Sequence, residues 1–140
     1  MEQTKVLSGG YSGRQKEVRD LKITPELEVV ENEYSDQDYM VEMKTEEFVS
    51  LCPKTGLPDF ATIIIQYKPD QYLVEQKSLK FYLARYKDVG IFQEHATNKI
   101  LEDFIRTTKP KWAKITTVWK VRGGIGTIVE REYSRAGSKE

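Results

Sequence analysis

The sequence predicts an α+β fold, an antiparallel four-stranded sheet with two helices on one face in the order ββααββ. The first observation is a change of hydrophobic period: apolar residues alternate in twos up to about residue 68, fall at helical spacing from Leu79 to Ile105, and return to twos from Trp112. The second is turn chemistry, because Pro53, Gly56 and Pro58 punctuate the chain between the first two strand-like runs, and Arg122, Gly123 and Gly124 mark a tight hairpin between the last two. At 140 residues the chain reads as one domain, long enough to bury a core.

Residues 1–36 alternate Gly, Ser and charge, so they read as a variable, partly ordered arm. The short apolar piece at Leu27, Val29 and Val30 is expected to add an edge strand. The domain proper is expected over residues 37–133. Tyr39, Val41 and Met43 alternate with Met40, Glu42 and Lys44 as a strand does, and Glu46 to Ser50 continues it after an irregularity. Phe60 to Lys68, rich in β-branched residues, is the second strand, with CPKTGLPD between the two as a long, stiff hairpin loop. Leu79, Tyr82, Leu83 and Tyr86 then share a helical face, for which Gly90 is the predicted C-cap. Phe92, Ala96, Ile100, Leu101, Phe104 and Ile105 line a second helix that Lys109 and Pro110 stop. WAKITTVWKVR and IGTIVEREY are the last two strands, and 134–140 form a polar tail. A four-stranded sheet has two open edges, and closing them against further copies predicts a ring-like homo-oligomer.

Composition excludes several classes of function. Lys plus Arg equals Asp plus Glu at 22 each and the pI is about 6.6, so no net positive field draws in nucleic acid, and no direct nucleic-acid partner is expected. No run approaches the roughly 18 apolar residues of a membrane span, and the first residues lack a signal-peptide stretch, so the expected location is cytoplasmic. One cysteine forms no internal disulfide. With a single histidine beside it, no metal site is expected.

Four stretches carry chemistry. Cys52 stands directly before Pro53 at the start of the constrained loop, outside any apolar period, where a thiol is positioned rather than packed. Asp59 ends the same loop seven residues on, and a hairpin loop returns to its starting point, so the two are expected to face one cavity. A thiol beside a carboxylate suits addition of the thiolate to an electrophilic carbon while the acid gives a proton to the neighbouring heteroatom. For that role Asp59 must be protonated. Glu94 falls in the first turn of the second helix, favoured there by the helix dipole and able to accept paired hydrogen bonds from an N–H edge such as guanine presents. In EQKSLKFY (75–82), Ser78 and the backbone amides open the first helix while Lys77 and Lys80, three apart, share a face. With Arg122 they suit phosphates.

Together these pieces resemble the NADPH-dependent nitrile reductases, the 7-cyano-7-deazaguanine reductases of queuosine biosynthesis, in their single-module form. The matching stretches are LCPKTGLPDFA (51–61), EQKSLKFY (75–82), GIFQEHATN (90–98) and RGGI (122–125), within a span from about Phe48 to Thr127. The resemblance implies a tunnelling fold assembled into barrels, with active sites between subunits. It implies that Cys52 adds to the nitrile as a thioimide and that Asp59 donates the proton. It places Glu94, with Phe92, Glu75 and Ser78, around 7-cyano-7-deazaguanine as substrate, and Lys77, Lys80, Arg122 and Gly123 on the NADPH cofactor. Reduction of a nitrile to an amine takes four electrons, hence two hydride deliveries, and covalent attachment retains the half-reduced imine between them.

Two positions depart from the family pattern. Gln76 replaces a usual Ser or Leu. Gln93 stands where many members have His directly before the glutamate, and His95, two positions on, would point about 200° away from it on a helix. Two other functions compete: a relative that acts on nitrile-bearing tRNA as an amidinotransferase, from which the lysine motif and zero net charge separate this chain, and a non-catalytic purine-binding subunit, which has no need of Asp59 and both lysines.

Overall fold

A computed structural model describes residues 26–135 of the chain. The β-branched run through Ile63 and Ile65 forms β3 (Pro58–Lys68), an interior strand paired antiparallel on one side with β2 (Val41–Leu51) and on the other with β5 (Trp112–Arg122). β6 (Ile125–Ser134) completes the sheet order β2-β3-β5-β6. Along β3, Ala61, Ile63, Ile65 and Tyr67 are buried while their neighbours are not, and Ala113, Ile115, Thr117 and Trp119 do the same along β5. This two-residue period turns one face of the sheet into a floor for the helices.

The helices α1 (Gln76–Ala84) and α2 (Gln93–Thr108) cover that floor. Leu79 and Tyr82 from α1 and Ala96, Ile100, Leu101 and Phe104 from α2 join the same core. Phe104 meets Tyr67 edge-on with ring centres 4.9 Å apart, and Phe48 lies between Tyr86 and Trp119 at 5.4 and 5.8 Å. Such aromatic pairs add about 1 kcal/mol each to the area they bury. A carboxylate is enclosed between the helices: Asp103 of α2 accepts from Tyr82 of α1, from Lys99 at 3.2 Å and from Arg106 at 2.8 Å, and Tyr86 stands 3.0 Å from the Tyr82 hydroxyl. Paired in this way the charge is tolerated, and it bolts the two helices together. Burial pushes the hydroxyl pKa of both tyrosines up.

The structure corrects several boundaries. The apolar piece near Leu27 forms β1 (Val29–Glu31), but it does not edge the main sheet. It pairs instead with β4 (Tyr72–Val74) as a separate two-stranded sheet, because Asn32 clamps the end of β1 to the turn before β4: its Nδ2 donates to the Asp70 carbonyl at 2.8 Å and its Oδ1 accepts from Tyr39 at 2.7 Å. Residues 26–36 therefore belong to the fold; residues 1–25 and 136–140 of the expected arm and tail lie outside the described residues. Tyr39 serves this clamp, and β2 begins at Val41. The irregularity expected before Phe48 is a bulge between Thr45 and Phe48. β3 starts at Pro58, so Asp59 is a strand residue opposite Ser50 and the loop is shorter than expected. The first helix stops at Ala84, and a 3-10 turn (Arg85–Asp88) follows so that Tyr86 can reach the core. Gly90 is not its C-cap: Leu51 donates to the Val89 carbonyl and accepts from Ile91, each at 3.0 Å, which draws Gly90 alongside β2 as an extended bridge. β6 continues through Ser134.

Among the described residues, no helix is long and apolar enough to cross a membrane, and no group of three or more His, Cys, Asp or Glu side chains is placed to hold a metal ion.

Candidate active site

The thiol loop closes on itself. Cys52 N–H donates to the Leu57 carbonyl at 2.8 Å and Gly56 N–H to the Cys52 carbonyl at 2.7 Å, with Gly56 at φ 75°, a conformation glycine adopts without strain. Thr55 Oγ1 accepts from Leu57 N–H at 3.1 Å. Burial pushes the half-buried Cys52 thiol up, but hydrogen bonds from the Thr55 side chain and from the Lys54 and Thr55 backbone outweigh it and leave the thiol below its ordinary pKa of 9.0. A loop that gathers donors around sulfur makes the thiolate, the nucleophilic form, more accessible.

Asp59 enters the same cleft from the start of β3, nearly buried. Arg122, the last residue of β5, donates through one nitrogen to Asp59 Oδ1 at 2.6 Å and to the Pro58 carbonyl at 2.7 Å. The Gly123–Gly124 turn, with φ of 60° and 82°, fits the twist of a two-residue hairpin and fixes where β5 ends. The third wall is the start of α2. Phe92 occupies the N-cap position without a side-chain capping bond, and Glu94 is exposed in the first turn. These residues surround a cleft of about 480 Å³ lined by Cys52, Asp59, Phe92, Gln93, Glu94, Arg122 and Gly123 among others. His95 does not line it; its ring stands edge-on to Phe92.

A second, larger cavity of about 1090 Å³ lies between α1 and β2, and Lys77 and Lys80 line it together. At its rim the head of α1 is already occupied. Glu75 is the N-cap, and its carboxylate accepts from Lys77 N–H at 3.0 Å and Ser78 N–H at 2.7 Å. Ser78 is buried; its hydroxyl donates to the Glu75 carbonyl at 2.7 Å and accepts from Glu28 N–H at 2.9 Å. The anion site expected at this helix start is thus filled by the chain's own carboxylate, and the two lysine side chains are the cations it leaves exposed. No residue lines both cavities. Arg122 and Gly123, expected beside the lysines, lie with the cysteine instead, because strand register delivers Arg122 to Asp59.

Two residues were missed at the sequence level. Thr55 acts on the thiol, and a hydroxyl residue directly before the turn glycine was the available signal. Ser50, buried opposite Asp59 and without a hydrogen-bond partner for its hydroxyl among the described residues, gave no signal beyond strand parity.

Fold and cleft together define a class: an α+β chain whose sheet end places a thiol of lowered pKa and a carboxylate in one cleft, an arrangement suited to covalent catalysis. Residues 58–138 match the family described as QueF-like protein. The chain belongs to this family. It is 53% identical over 107 residues to the NADPH-dependent 7-cyano-7-deazaguanine reductase of Chloroherpeton thalassium, covering 76% of this chain and 92% of that one. It is 49% identical to the protein of the same name from Syntrophus aciditrophicus over 85% of each chain. The backbone also matches the crystal structure of the archaeosine synthase QueF-Like in the apo form, with a TM-score of 0.62 at 22% identity over 66% of this chain and 91% of that one, a likeness of fold.

Proposed function

We propose that this protein reduces the nitrile of 7-cyano-7-deazaguanine to a primary amine with NADPH, in the queuosine pathway. The observation that carries the reading is the cleft that holds Cys52, with its lowered pKa, together with Asp59 and Glu94. The Cys52 thiol gives its proton to the Asp59 carboxylate, the sulfur bonds to the nitrile carbon as one π bond of C≡N breaks, and Asp59 passes that proton to the nitrogen, giving a thioimide. Arg122 holds the Asp59 carboxylate at the start of β3, in place to take up the thiol proton and pass it on. Glu94 accepts the N–H edge of the deazaguanine and Phe92 borders its ring. NADPH, when bound, supplies the four electrons as two hydrides in two rounds.

The α1 cavity fits that cofactor: it is large, open, and carries Lys77 and Lys80 on one wall. Since it shares no residue with the cysteine cleft, the two meet in an assembly where one copy's cavity faces another copy's cleft. The open strands β2 and β6, and the exposed Val121, Ile125 and Ile128 near the β5–β6 turn, support closure into a tunnelling-fold barrel.

The test is intact mass after mixing the protein with 7-cyano-7-deazaguanine, with Cys52→Ala as control. The expected result is an adduct on the wild type alone and, with NADPH present, two cofactors oxidised per nitrile. No adduct refutes the reading; an adduct without NADPH oxidation turns it toward the amidinotransferase.

A further inference from the structure

The stretch GIFQEHATN holds two residues, Thr97 and Asn98, to which the chemistry above gives no task. Each reaches back four positions. Thr97 Oγ1 donates to the Gln93 carbonyl at 2.9 Å, and Asn98 Nδ2 donates to the Glu94 carbonyl at 2.8 Å. Two consecutive carbonyls in the first turn of α2 are thus gripped from one turn below, and each grip is anchored in a different strand.

The buried anchor has a fixed direction. The only proton of Thr97 goes to the Gln93 carbonyl, so at 2.7 Å from Thr117 Oγ1 it must accept, and Thr117 donates. Thr117 accepts in turn from Trp119 Nε1 at 2.8 Å. The chain runs Trp119 to Thr117 to Thr97 to the Gln93 carbonyl, and its side chains are all buried. The second anchor is half-buried: Arg131 of β6 donates to Asn98 Oδ1 at 2.9 Å and also to Glu102 at 2.9 Å. A threonine bonded to its own helix is common and by itself signifies little. Here, however, the helix start has no side-chain cap, because Phe92 occupies the capping position and lines the cleft.

We propose that Thr97, Thr117 and Trp119, with Asn98 and Arg131, are positioning residues: they fix the carbonyls of the uncapped first turn of α2 and so hold Glu94 in register with Cys52. The proposal rests on the reading of Glu94 as the substrate anchor. None of the five need touch substrate. Their effect is on how rigidly the glutamate is presented, so loss should appear in substrate affinity rather than in the covalent step.

The experiment measures equilibrium binding of 7-cyano-7-deazaguanine and, separately, of NADPH to the Cys52→Ala protein, in which no adduct forms. Thr97→Val in that background, which removes the bonds to the Gln93 carbonyl and from Thr117, should weaken the nitrile about tenfold. Thr97→Ser should restore it, and NADPH affinity should stay unchanged. Arg131→Met, at a half-buried site outside the core, should weaken the nitrile by less and keeps the proposal testable if Thr97→Val fails to fold. Unchanged nitrile affinity in both folded variants overturns the proposal, as does a parallel loss of both affinities, which marks a merely structural role. If the Cys52→Ala parent itself does not bind the nitrile, the substrate reading falls, and the inference with it.

Discussion

The cysteine cleft and the lysine cavity are built on opposite principles. In the cleft nearly every polar group is held by the protein: the thiol by Thr55 and two backbone amides, Asp59 by Arg122, and the start of α2 by its two anchors. In the cavity the reactive groups are two exposed lysines with no ion-pair partner among the described residues, on a helix whose own head is sealed by Glu75. A site that makes and breaks bonds gains from dipoles fixed before the reactant arrives, since no reorganisation is then required in the transition state. A site that only holds a polyanion can leave its cations on flexible stems and order them on binding.

Exchanges in one region should leave the other untouched, and the largest effect lies at sulfur. Cys52→Ala should abolish the adduct and lower turnover by about a thousandfold or more, while NADPH still binds. A variant that keeps appreciable turnover breaks the assignment. Asp59→Asn should slow adduct formation by about a hundredfold or more, as expected of a lost general acid, without moving NADPH affinity; rapid mixing with mass detection reads the rate. Lys77→Ala and Lys80→Ala should each raise the NADPH KM about tenfold and leave the adduct rate alone. If either slows the adduct, the two regions are not separable. Glu75→Ala should cost about 1 kcal/mol of stability in urea titration through loss of the N-cap. The smallest effect concerns the thiol itself. Alkylation of Cys52 should rise with pH as the thiolate forms, with a midpoint below 9.0, and Thr55→Val should move that midpoint upward.

Much of this was legible in the sequence because it rests on local rules. Period two set β3 and β5, period 3.6 set the helices, and a cysteine before a proline in a short loop pointed to a placed thiol. What was not legible depends on pairing between distant residues. Nothing near Leu27 says that its strand partners Tyr72–Val74 rather than the main sheet; Asn32 decides it through Asp70 and Tyr39. Arg122 carries the right charge for a phosphate, and only the β3–β5 register shows that it meets Asp59, 63 positions away. Ser78 and the amides of the helix start read as an anion site, yet the Glu75 carboxylate already accepts from two of those amides.

The junction of β1 with α1 carries a consequence for motion. Glu28 N–H is held by the Ser78 hydroxyl and Glu75 N–H by the Glu28 carbonyl at 2.8 Å, so a three-residue strand and a helix head are joined by contacts that span about fifty residues of chain. The seam is held by hydrogen bonds at the edge of the fold, and a seam of that kind opens before the centre of the sheet. The amides of Glu28 and Glu75 should therefore exchange with solvent well before those of Ile63 and Ile115. The lysine cavity would then breathe at its rim on a timescale of its own, while the thiol at the far end of the sheet stays in place.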